Sequence, residues 1–211
     1  MNEYVKEVAQ QRMERTAQAL RKNQMEAYCV DCAADVLPLL KTLIAPGACV
    51  SMGGSVSLQE CGVPAFLRTG DYEFLDREAV TGDAVGELYR KAFFADCYLS
   101  SANAVTEQGE IFNVDGNGNR VAALAFGPQN VILVVGCNKI VEDLHEAHRR
   151  LRHLAAPANT KRLNRNTPCA KTGICADCRS PERICCTYTV QRFSKTPGRI
   201  KVILVAEPLG Y

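Results

Sequence analysis

Along the first twenty residues, Val5, Val8, Ala9, Met13, Ala17 and Leu20 recur at three- and four-residue spacing, with charged side chains between them. That spacing puts them on one stripe of a helix, so the segment predicts an amphipathic helix. Met25–Val30 then reads as a short strand. Ala33–Ile44 reads as a helix, with Pro38 early in it and Pro46-Gly47 ending it. Ala48–Met52 is a short apolar strand that runs into Gly53-Gly54-Ser55. Ser57 followed by Glu60 has capping-box spacing, which predicts a helix opening at Ser57. The unit is strand, glycine turn, helix.

Residues 66–84 read as a polar connection with some strand or turn content. Val85–Ala95 predicts a helix and Ala95–Ser100 a strand. Glu110–Val114 and Arg120–Phe126 flank Asp115-Gly116-Asn117-Gly118-Asn119, and two β-like runs about such a turn predict a hairpin. Val131–Val135 is a continuous apolar run, as expected of a strand buried on both faces. A helix is expected from Ile140 to Leu154, stopped by Pro157, and Lys201–Val205 is one more buried strand. Alternating strands and helices predict an α/β fold: a mostly parallel sheet with helices on both faces, a β-hairpin, and a cysteine-rich loop at about 159–186 before the last strand. One domain over residues 1–211 accounts for the length.

Composition narrows the function classes. The 211 residues include 25 basic and 23 acidic side chains, a formal net charge of +2, which gives no bulk drive toward nucleic acid or anionic membranes. The longest apolar runs are too short to span a bilayer, and charges through the first twenty residues leave no signal-peptide core. The expected setting is the cytoplasm, without membrane insertion.

Eleven cysteines change the picture more. In a reducing cytosol they are not expected as stable disulfides. Cys29, Cys32, Cys49, Cys61, Cys97 and Cys137 are scattered, several in strand-like contexts where a thiol acts as a small hydrophobe. Between Cys169 and Cys186 the density is different. Cys175-Ala176-Asp177-Cys178 is a C-x-x-C pair, flanked by Cys169 and Cys185, with Cys186 able to replace Cys185. Four thiolates suit a tetrahedral zinc or an iron–sulfur cluster, and the spacing does not separate the two. Lys171, Arg179 and Arg183 would also lower thiol pKa values without a metal, which suits reactive thiols. A reduced, structural segment is the third reading.

A second candidate site lies at the strand ends. Gly53-Gly54-Ser55 ahead of a helix offers free N–H groups to an anion, although a tight turn alone would also explain the glycines. Asn103 and Glu107 follow the Cys97 strand, where open α/β sheets bind ligands. Glu107 is the candidate nucleophile or base. Arg120 is the candidate bidentate clamp on an anion, and Lys139 could reach the same rim.

Together Gly53-Gly54-Ser55 with Leu58 and Glu60, Asn103–Gly109, Gly118-Asn119-Arg120-Val121, Val135–Val141 and the tail Pro168–Cys185 resemble the lactate-utilisation (LUD) domain family, in a cysteine-bearing branch. The resemblance spans most of the chain. It implies a fold similar to ribose-5-phosphate isomerase, glucosamine-6-phosphate deaminase and the CoA-transferases. It also implies a part in oxidising lactate or a related small organic acid. Thr106-Glu107-Gln108-Gly109 loosely resembles the loop carrying the CoA-transferase glutamate, with Gln where those enzymes have Asn. It implies an iron–sulfur or dehydrogenase partner subunit; the other expected partners are a small anionic metabolite and a second copy of the chain. Two rivals follow: a stand-alone isomerase- or CoA-transferase-like enzyme using Glu107, and a non-catalytic redox or interaction subunit.

Overall fold

The stripe of the first segment becomes the inner face of helix α1 (Glu3–Lys22), where Met13, Ala17 and Leu20 are buried. Val5 and Val8, nearer its start, stay exposed. A computed structural model describes residues 2–211. After α1 come β1 (Glu26–Val30), α2 (Val36–Leu43), β2 (Cys49–Met52), α3 (Val56–Glu60), α4 (Val63–Leu67), β3 (Glu73–Leu75) and α5 (Ala84–Lys91). The middle holds β4 (Cys97–Ser100), β5 (Ala104–Thr106), β6 (Ile111–Asp115), α6 (Asn119–Ala125), β7 (Asn130–Gly136) and β8 (Ile140–Val141). The last part holds α7 (Leu144–Arg150), α8 (Ala156–Arg162), α9 (Pro168–Thr172), β9 (Thr187–Gln191) and β10 (Ile200–Val205).

Six strands make one sheet in the order β1-β10-β7-β4-β2-β3, and every pair in it is parallel. Helices cover both faces, as the unbroken apolar runs require. Strand β7 shows why. Val131, Leu133 and Val135 enter the core under α1, while Ile132 and Val134 enter the opposite core with Leu40 of α2 and Leu58 of α3. A second sheet, ordered β8-β5-β6-β9, is mixed, with β5 parallel to β8 and β6 antiparallel to both neighbours. Among the described residues, no helix is long and apolar enough to cross a membrane.

Five local expectations need correction. The hairpin lies one strand earlier than expected: β6 pairs back on β5, whereas residues 119–125 form helix α6. Val121 and Leu124, three apart, are its buried face, and the Asp115 carboxylate accepts from the Arg120 and Val121 N–H groups at its start. The Asn-Gly-Asn segment is therefore a capped strand-to-helix turn. Helix α3 is capped two residues early, because Ser55 is its N-cap and accepts from the Leu58 N–H. Residues 140–141 pair with β5, and the following helix starts only after Asp143, whose carboxylate caps it. Pro157 does not end that helix. A π-helical turn over Leu151–Ala155 links α7 to α8, so the missing proline N–H falls where the helical ladder is already widened. The cysteine loop is followed by two strands, β9 then β10, rather than one.

Candidate functional site

β7, β4 and β2 are parallel neighbours, so their carboxyl ends open on the same edge. Beyond those ends lie Lys139, Ser101-Ala102-Asn103 and Gly53-Gly54-Ser55. They line one cavity of about 460 Å³, which Asp115 and Arg120 of the β6–α6 turn also enter. The opposite wall carries Arg162 and Arg165, Tyr211, and Pro181–Ile184 of the cysteine loop. Gly53, Gly54, Ser55, Asn103, Arg120 and Lys139, proposed from sequence as one ligand site, thus share one cavity.

Lys139 is the unusual group there. It is buried, and its ammonium Nζ reaches Ser57 Oγ at 2.8 Å and Ser101 Oγ at 3.1 Å. It forms no ion pair among the described residues. Burial, with Arg150 and Arg120 nearby and only a weak counter-pull from Glu60, brings its pKa down to about 7. The Ser57 hydroxyl donates to the Leu209 carbonyl at 3.2 Å, and the Gly210 N–H donates to the Glu60 carboxylate. The C-terminal segment therefore closes over the lysine. The sequence marks Ser57 only as a helix cap, and does not single out Ser101 or this segment. A serine inside a short helix and another after a strand carry no signal until the fold brings them to one amine.

Arg120 lines the cavity but is already committed. Its Nε donates to Asp115, one terminal nitrogen to the Ser101 carbonyl and Asn113 Oδ1, the other to Asn103 Oδ1 and the Val114 carbonyl. That uses all five guanidinium donors. Arg120 ties β4, β6 and α6 together beneath the cavity, and Asn103 is held by the same network. It contributes charge rather than the bidentate clamp expected. Gly53 belongs to this packing, since a Cβ there would lie 2.9 Å from Arg120 Cδ and 3.1 Å from Tyr98 Oη. At Gly54 a Cβ would meet nothing within 4 Å.

Charge along the wall favours an anion. Arg68 is paired with Asp76 and Glu78, and Arg120 with Asp115. Among the described residues, Lys139, Arg77, Arg162 and Arg165 line the same space without a carboxylate partner, against one unpaired carboxylate, Glu182.

Glu107 lies elsewhere. Its carboxylate pairs with Arg12 Nε at 2.6 Å and with Arg15 at 3.6 Å, both on α1, and it does not line the cavity. The β5–β6 hairpin turns it away from the strand ends, because β5 belongs to the second sheet. It links that hairpin to α1, outside the cavity that gathers the other candidate residues.

The cysteine loop is built around an arginine. The Arg183 guanidinium donates to the Cys178 and Cys185 carbonyls at 2.6 and 3.0 Å and lies 3.5 Å from Cys185 Sγ. Cys169 is buried instead, with Sγ at 3.5 and 3.4 Å from the Thr160 and Thr167 hydroxyls. Among the described residues, no three His, Cys, Asp or Glu side chains are gathered to hold one metal ion. As arranged, then, the four thiols proposed as ligands, Cys169, Cys175, Cys178 and Cys185, do not fit a zinc or iron–sulfur centre. To hold one, Cys169 must turn from its threonines and the Arg183 cation must leave Cys185.

A family model for the LUD domain matches residues 13–205. Among solved structures, a DUF162 family protein from Deinococcus radiodurans shares the fold at a TM-score of 0.54 and 17% identity, over 93% of this chain and 98% of that one. A Pseudomonas malonate decarboxylase hetero-tetramer in complex with malonate aligns at a TM-score of 0.35 and 16% identity, over 83% of this chain and 38% of that one. The second likeness is too low to build on. Comparison with curated proteins gave no match.

Proposed function

Because the chain belongs to the LUD-domain family, we propose that it serves the use of lactate or a related small organic acid by holding the acid anion in the strand-end cavity. One observation carries this reading: Lys139 is buried at the cavity without a carboxylate of its own. An ammonium so placed gains most from a ligand that supplies the missing negative charge. Arg162 and Arg165 at the opposite wall give that ligand a second point of attraction.

Binding to the folded state raises stability in proportion to the logarithm of ligand concentration over Kd. Lactate, pyruvate and short dicarboxylates at millimolar concentration are expected to raise the unfolding temperature, whereas neutral amides of the same acids are not. The shift should shrink in Lys139→Met. If none of these acids shifts the transition, or if acid and amide act alike, the reading fails.

A second reading rests on the position of Pro181–Ile184, which puts the cysteine loop in the wall of the same cavity. The chain would then be an accessory subunit, its loop facing an iron–sulfur or dehydrogenase partner. Tagged protein purified without oxygen from its own cell should retain such a subunit at equal stoichiometry. Purification as a lone chain under those conditions counts against it.

A further inference from the structure

The hydroxyls around Lys139 differ in what their protons do. Ser57 Oγ–H has an acceptor, the Leu209 carbonyl, so towards Lys139 this oxygen can only accept. Ser101 Oγ–H has only the Ala102 carbonyl, at 3.5 Å, whereas Lys139 Nζ is at 3.1 Å. A neutral amine has two N–H donors and one lone pair. With one N–H directed at Ser57, the lone pair is free to take the Ser101 proton. Ser101 and Lys139 both line the cavity, and Ser57 does not. Three elements of the fold thus deliver a hydroxyl, an amine and an orienting acceptor to one point, the pattern of serine nucleophiles served by lysine bases.

We propose that Ser101 and Lys139 are a nucleophile–base pair that cleaves a small ester or thioester bearing a carboxylate, with Ser57 as a positioning residue. This rests on the cavity being the ligand site, since its basic wall selects the carboxylate. Ser101 Oγ attacks the acyl carbon as its proton passes to Lys139 Nζ. The C–O or C–S bond to the leaving group breaks, and the ammonium returns the proton to that alkoxide or thiolate. Water then attacks the acyl-serine, giving one proton to Nζ, and the acid leaves as Ser101 Oγ takes the proton back. The net reaction adds water across the ester, with no oxidant or metal required.

The groups that face Lys139 are Arg150 of α7, Arg120 of α6 and Glu60 of α3. The two arginines favour the neutral amine that the step needs, and Glu60 opposes them while itself held by the Gly210 N–H. The base form should therefore develop through about pH 7.

The test uses a fluorophosphonate probe on the full chain, followed by peptide mass mapping. Wild-type protein is expected to carry one label, on Ser101, at a rate that rises with pH through about 7. Ser101→Ala should remain unlabelled. Lys139→Met and Lys139→Arg should each slow labelling about a hundredfold while unfolding cooperatively. Ser57→Ala should shift the midpoint of the pH profile while leaving Ser101 the labelled residue. No label on Ser101 of the wild type overturns the proposal, as does a rate unchanged in the lysine variants. Should the lysine variants fail to fold, a flat wild-type rate between pH 6 and 9 overturns it alone. Carboxylate-induced stabilisation of Ser101→Ala is read separately. If it persists while wild-type Ser101 stays inert, the dyad fails and the anion site stands.

Discussion

The strand-end cavity and the cysteine loop both stood out in the sequence, and both lie on one face of the folded chain. They are built differently. At the cavity, side chains from four separate elements converge, and Arg120 makes five hydrogen bonds among residues up to 19 positions away. At the loop, one arginine bonds to carbonyls two and five positions away, and the thiols are left unequal, Cys169 buried and Cys186 exposed. The cavity is a product of long-range packing that fixes its groups. The loop is a local structure whose chemistry is concentrated in sequence but not focused in space.

The largest expected effect tests that contrast at glycines. A Cβ on Gly136 would lie 2.4 Å from the Leu209 N and 2.8 Å from the Glu207 carbonyl, both main-chain atoms. Main chain cannot step aside, so Gly136→Ala should cost about 3 kcal/mol or more and loosen the segment that closes over Lys139. In the loop, Gly173 has φ of +76° with nothing within 4 Å of an added Cβ. Gly173→Ala should cost only about 1 kcal/mol, the penalty of a left-handed alanine. Urea denaturation measures both, and equal losses would erase the contrast.

Next comes the pH dependence of Lys139. Its pKa falls from 10.5 to about 7 on folding, so between those values the unfolded chain holds one more proton at this site than the folded one. Stability therefore rises with pH across that window, at up to about 1.4 kcal/mol per pH unit. Cys29 and Cys61 have thiols pushed up to about 11, which lowers stability above about pH 9. The window to use is pH 7–8.5, taken as the difference between wild type and Lys139→Met. A difference that stays constant with pH would mean that the amine is charged throughout and the cavity ordinary.

A smaller effect separates the two glycines of the turn. Gly53→Ala crowds the Arg120 stem and should cost about 1–2 kcal/mol. Gly54→Ala should stay within about 0.5 kcal/mol of wild type. Its methyl enters the cavity, however, so carboxylate binding should weaken. Stability and binding are thus expected to move apart at adjacent residues.

What the sequence showed follows the same division. The parallel sheet was legible because Val131–Val135 and Lys201–Val205 are continuous apolar runs, and burial on both faces leaves that mark locally. That the glycines, Asn103, Arg120 and Lys139 gather at one edge was legible because strand ends can be placed from strands. Helix α6 was missed because Arg120–Phe126 is short, and its β-like pattern hid the Val121–Leu124 face. Strand β9 was missed because its residues are mostly exposed on a sheet edge. Glu107 was misplaced because membership of a second sheet is a property of pairing, not of the run itself. Ser57 was read as a helix cap, and only the fold turns it toward Lys139.

The smallest effects concern the loop. Thiol reactivity needs both access and ionisation. Cys29 and Cys186 are the exposed thiols, but burial of its sulfur and the nearby Glu14 carboxylate push Cys29 up to about 11. At pH 8 a limiting thiol reagent should therefore modify Cys186 first, then Cys175, Cys178 and Cys185, with Cys29 slow despite its exposure and Cys169, behind Thr160 and Thr167, last of the loop's thiols. The same order should hold in protein prepared without oxygen and treated with a chelator. A metal or cluster on Cys169, Cys175, Cys178 and Cys185 would change the order after Cys186. Those four would be protected together, Cys169 no more than the rest, and iron or zinc would appear at one site per chain. Metal analysis beside the labelling order thus decides whether the loop is an arginine-braced set of separate thiols or a centre that forms only when Arg183 gives way.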